Sequence, residues 1–165
     1  MDGRGLWMAW LLLMAVSARC NADVLISEFM ALNSNTLTDQ DQQYSDWIEL
    51  YNSGPDTVNL NGWYLTDNAT NLTNWRFPST DIYPGNYLLV FASGKNRAIS
   101  GAELHTDFKL DGDGEYLALV MPDGTTVASH YSPRFPRQRS DVSYGRDEQT
   151  GANVPQTVVQ RRVAR

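Results

Sequence analysis

Two histidines, 19 carboxylates and one cysteine make up most of this chain's stock of reactive side chains. Hydrolysis by an activated nucleophile needs nucleophile, base and orienting acid within hydrogen-bond reach. Ser129 beside His130 does not meet that need, because neighbours on a strand point to opposite faces. His105 falls in a loop-like segment, and both histidines read as edge or surface residues. The chain has no Gly-x-Ser-x-Gly and no His-Glu-x-x-His, and Gly112-Asp113-Gly114 lacks the third glycine and following helix of a dinucleotide loop. A zinc site is poorly supported, with two histidines far apart and Cys20 placed in a leader. No catalytic residue and no cofactor-binding residue is assigned.

The carboxylates leave one metal chemistry open. That chemistry is calcium binding: hard cations take clusters of carboxylate and carbonyl oxygens, and Asp111-x-Asp113-x-Glu115 offers them, as does Asp39-x-Asp41 with Asp46. The first pattern is equally what a tight hairpin turn requires, and it lacks the ligand spacing of an EF-hand loop. Trp47, Tyr51 and Tyr64 are the candidate binding residues. Their rings either stack on sugars or form ordinary cross-strand pairs on a solvent face. Asn68-Ala69-Thr70 and Asn71-Leu72-Thr73 fit the glycosylation sequon, which matters only in a host that glycosylates.

The elements that must position these residues are strands. In Asp46 to Asn52, Ile48 and Leu50 fall on one face and Trp47, Glu49 and Tyr51 on the other. Val24 to Asn33 reads as the first strand, and Trp63 with Leu65 shares a face in a third. Tyr87 to Ala92 (YLLVFA) is apolar on both faces and reads as a central strand, so Trp63, Ile48, Leu50 and Leu89 are expected in the core. Phe108 to Met121, turning at Asp111 to Gly114, reads as one hairpin, and Glu115 to Tyr131, turning at Pro122-Asp123-Gly124, as a second. Ser132 to Ser140 is a covering stretch rich in proline and arginine, and Asp141 to Gly145 a short edge strand. No stretch from 23 to 131 sustains a helical period. The body is all-β.

At 165 residues the prior is one domain. Leu6 to Val16 is an unbroken apolar run behind Arg4, with small residues after it. It reads as a signal peptide covering 1–22 and cleaved after Ala22, which leaves no thiol and no transmembrane anchor in the mature chain. Residues 23–133 then carry four basic against 15 acidic side chains, whereas 134–165 hold seven arginines against three acids. An acidic body repels phosphate backbones, so no nucleic acid partner is expected. From Arg146 onward the composition is polar, and 146–165 reads as a disordered or truncated tail.

The order and spacing of several short blocks are more specific than any one of them. They are Ile26 to Ala31, Ser45 to Asn52, Leu60 to Asp67, Trp75 to Pro78, Pro84-Gly85 before Tyr87 to Gly94, and Glu115 to Leu119. Together they resemble the lamin-tail domain, a module of nuclear lamins that also occurs in exported bacterial proteins. The resemblance covers roughly 24–145 and implies an immunoglobulin-like Greek-key β-sandwich over 23–145, used for non-catalytic interaction. It also implies a secreted or cell-envelope setting with envelope protein or polysaccharide as partner. The alternative it leaves open is an N-terminal accessory domain of a larger surface enzyme, a hydrolase or a spore-coat-kinase-like protein, whose catalytic part is missing here.

Overall fold

The computed structural model of the chain describes residues 23–146 and the backbone of 153–156. The expected signal peptide at 1–22 lies outside the described residues. Among those described there is no helix, and twelve strands form three sheets. The first sheet contains β1 (Val24–Met30), β2 (Asp46–Asn52), β7 (Tyr87–Ala92), β8 (Leu104–His105), β11 (Ser143–Arg146) and β12 (Asn153–Gln156). Its order is β12-β11-β1-β2-β7-β8, and all pairs are antiparallel except β7 with β8. The second contains β4 (Tyr64–Thr66), β5 (Trp75–Arg76), β9 (Leu117–Val120) and β10 (Val127–Tyr131), in the order β10-β9-β4-β5. A small ribbon pairs β3 (Val58–Asn59) with β6 (Asp81–Ile82).

The core forms where the two larger sheets face one another. Ile48 and Leu50 of β2 pair with Val90 and Leu88 of β7, and this row meets Leu65, Leu117 and Leu119 from the second sheet and Trp63 just before β4. Each such side chain contributes about 1.5–3 kcal/mol by leaving water. Trp63, Ile48 and Leu50 are core residues as expected, but Leu89 is not: it pairs with Glu49 on the outward face and is half-exposed. An apolar strand inside a sheet need not be covered on both sides along its whole length, and here the cover is local.

Two bulges break the alternation. Between Ile26 and Glu28 the register of β1 against β2 shifts by one, so Val24 and Ile26 face inward before the bulge and Phe29 after it. Gly145 of β11 lies against this bulge, where a Cβ would come within 2.5 Å of the Ser27 carbonyl oxygen. The second bulge, between Val127 and Ser129, turns Ser129 Oγ toward β1, where it accepts the Ile26 amide at 3.1 Å. That bond stitches one sheet to the other.

The expected hairpin across Asp111 to Gly114 does not form. Phe108 and Leu110 tuck into the core, Lys109 makes a single bridge to Ser93, and β9 pairs instead with β4 and β10. The hairpin of β9 with β10 is present. Strand β1 ends at Met30, short of Asn33, where the chain turns out into a loop. Strand β11 is internal rather than an edge strand, because Asn153–Gln156, within the segment read as a tail, pairs with it.

Candidate interaction face

Outward residues of β1, β2 and β7 lie in rows across the first sheet. One row runs Leu25, Tyr51, Tyr87, and another Met30, Trp47, Phe91, with Glu49 and Leu89 paired between them. The two rows differ at their ends, while Tyr51 and Trp47 at their centres are both half-buried. Tyr51 and Tyr87 stack with ring centroids 4.6 Å apart and 27° between planes, and Tyr87 is 39% exposed. Met30 and Phe91 are buried, although they point away from the main core and do not belong to it. Loop 31–45 closes over Met30, where Thr36 Oγ1 reaches Sδ at 3.2 Å, and His105 of β8 stacks on Phe91.

Loop 31–45 is shaped by two polar side chains. Asn33 sets its base: Nδ2 donates to the carbonyls of Leu37 at 2.6 Å and Ser45 at 2.8 Å, and Oδ1 accepts the Thr36 amide. Asp39 sets its tip, where its carboxylate accepts the amides of Asp41 and Gln43 and the hydroxyl of Ser45. That carboxylate has no exposed surface and takes Lys95 Nζ at 2.5 Å. Burial opposes its charge, but Lys95, the Gln43 amide and the Ser45 hydroxyl outweigh burial and hold it at about 2. Asp41 takes both Lys95 and Arg97. The two acids read from sequence as a calcium cluster with Asp46 are thus neutralised by cations of the facing loop. Asp46 sits apart and accepts the Asn33 amide at 3.1 Å.

His105 is fully buried, stacked 5.4 Å from Phe91, and so differs from the surface histidine expected. His130 is exposed, and Ser129 beside it is buried on the opposite face, as expected. A convergence that the sequence did not reveal brings Ser93 Oγ to 2.8 Å from His105 Nδ1 and Glu103 Oε1 to 3.0 Å from Nε2. These types match a nucleophile, base and acid, but acyl transfer also needs free donors for an oxyanion. The four amides after Ser93 are all occupied: Gly94 bonds the Phe108 carbonyl, Lys95 the Ser93 hydroxyl, Asn96 the Thr106 carbonyl and Arg97 the His105 carbonyl. The arrangement braces a loop. A neutral imidazole is satisfied there when Ser93 donates to Nδ1 and Nε2–H donates to Glu103.

The remaining sequence candidates do not converge. Tyr64 belongs to the second sheet, away from Trp47 and Tyr51. Asp111 accepts the Asp113 amide, Glu115 accepts the Asp111 amide, and Asp113 pairs with exposed Arg137 at 3.1 Å. Among the described residues no three carboxylate, imidazole or thiol groups are placed to hold a metal ion. Glu115 is nonetheless unusual: burial, with Asp67, Asp111 and Asp46 as like charges, pushes it up to about 7. Asn68 and Asn71 are both exposed in a turn organised by the buried Thr66 hydroxyl.

Comparison with known proteins bears on the fold. The family model described as Lamin Tail Domain matches residues 17–133. No curated protein matches the chain.

Proposed function

The chain belongs to the lamin tail domain family, and on that premise we propose that it is a non-catalytic interaction module of an exported protein. The observation that carries this reading is the stacked Tyr51–Tyr87 pair, open to solvent on a sheet where, of the other outward aromatics, Trp47 is half-buried and Phe91 covered. Broad, rigid rings held by cross-strand pairing present contact area at low cost in side-chain entropy. The partner is an envelope polysaccharide or envelope protein, to which the outward face of β1, β2 and β7 docks. Export rests on the apolar run Leu6 to Val16 and the small residues after it.

The test is cosedimentation of the full chain with envelope preparations of the producing cell. The paired substitution Tyr51→Ser and Tyr87→Ser should weaken retention roughly tenfold or more, as expected for central aromatic anchors. Equal retention of wild type and a folded double variant would exclude this face. N-terminal sequencing of the released protein should begin at Asp23; a mature protein starting at Met1 would remove the export reading.

A further inference from the structure

Met30 and Phe91 are buried at one end of the outward face, and the loop beside that end is tied to the facing segment by charge. The tip of the loop, residues 37–43, bonds the facing loop through Lys95 to Asp39 and Asp41, Arg97 to Asp41, and the Gln40 amide to Glu103 at 2.8 Å. Glu103 Oε1 is shared: the same oxygen meets His105 Nε2. The base of the loop is secured separately, by Asn33 and by Asp141, which accepts the Ser34 and Asn35 amides at 2.7 and 2.8 Å. Within the tip, Gln42 stands at φ 62°, a conformation costly for a residue with a Cβ and kept here by the bonds around Asp39. A strained turn bonded to its neighbour mainly by ion pairs is a unit able to release without the sheet.

We propose that residues 37–43 are a latched cover over the Phe91–His105 end of the outward sheet face, closed by Lys95, Arg97 and Glu103. Opened, the cover joins Phe91 to the row already exposed and lengthens the aromatic strip from Tyr87 toward His105. The functional meaning rests on reading this face as the interaction surface, but the opening itself is measured without any partner. Failure of the latch therefore leaves the binding reading standing, and loss of binding leaves the latch standing.

The experiment uses the chain's two histidines in the full-length protein. Diethyl pyrocarbonate modifies accessible neutral imidazoles, and exposed His130 is an internal reference for buried His105. With peptide mass spectrometry as readout, wild-type His105 should react at least about tenfold more slowly than His130. Replacing both cations, Lys95→Met with Arg97→Met, should raise the His105 rate about tenfold while that of His130 holds; the melting temperature falls, because Asp39 is left buried without its cation, so both proteins are compared well below their transitions. An unchanged His105 rate in the folded variant would overturn the proposal. Should that variant fail to fold, amide exchange in the wild type decides: the Gln40 and Gln43 amides should exchange well before those of Leu50 and Val90. Exchange of all four in one global event would equally overturn it.

Discussion

At the scale of single residues, the carboxylate of Glu115 is the clearest departure from ordinary behaviour. Burial among Asp67, Asp111 and Asp46 raises it from 4.5 to about 7, so the folded chain binds a proton there more tightly than the unfolded chain does. The stability linked to this group is fully present below about pH 4.5 and is lost as pH rises from 4.5 toward 7. Glu115→Gln keeps the acceptor for the Asp111 amide and removes the charge. The variant should be more stable than wild type at pH 8 by roughly 2 kcal/mol, with the advantage vanishing near pH 4. Urea unfolding midpoints at the two pH values check this, and an equal midpoint at pH 8 would mean that the charge is screened. His105 teaches a different lesson at this scale. Nothing in its neighbours in sequence marks it as buried, because its place is set by tertiary pairing: the ring stacks on Phe91 of β7 and is held between Ser93 and Glu103.

Among the elements, close backbone approaches decide more than side-chain pattern does. Gly114 holds φ 97°, and a Cβ there would overlap the Phe135 carbonyl oxygen, where the stretch 132–140 crosses it. Gly145 has no positive φ, and a Cβ there would press on the Ser27 oxygen at the β1 bulge. Gly114→Ala should therefore cost roughly 3 kcal/mol or more, and Gly145→Ala less, by denaturant unfolding. Equal effects would show that the crossing segment yields. Strand β2 is legible in the sequence because strict alternation of Ile48 and Leu50 with Trp47, Glu49 and Tyr51 survives in the fold. The first strand is legible only in outline. Its apolar residues on both faces come from a bulge that reverses the parity of inward positions, and no single-strand pattern predicts one. Phe108 and Leu110 resemble half of a hairpin because alternation cannot say which partner a strand will take.

For the molecule as a whole, the all-β reading and the family follow from strand spacing and from the order of the matching blocks, and both stand. The candidate face is only partly visible in the sequence. Trp47 and Tyr51 fall outward on one strand by alternation alone, but Tyr87 reads as part of a buried strand, and Tyr64 belongs to a different sheet from the residues it was grouped with. Which outward positions stay open depends on loop 31–45, whose fold is written in Asn33, Asp39 and their distant partners rather than in hydropathy. An acidic body with one uncovered aromatic strip suits uncharged or cationic surfaces better than phosphate polymers. Whether that strip is the binding surface is decided by a heteronuclear NMR titration of the isotopically labelled full chain with purified envelope polysaccharide, and with an envelope protein fraction in parallel. With at least one of them, shifts should concentrate at Leu25, Tyr51, Tyr87 and Leu89. Shifts confined to the second sheet, around Tyr64 and Val120, or none with either material, would refute the assignment of this face.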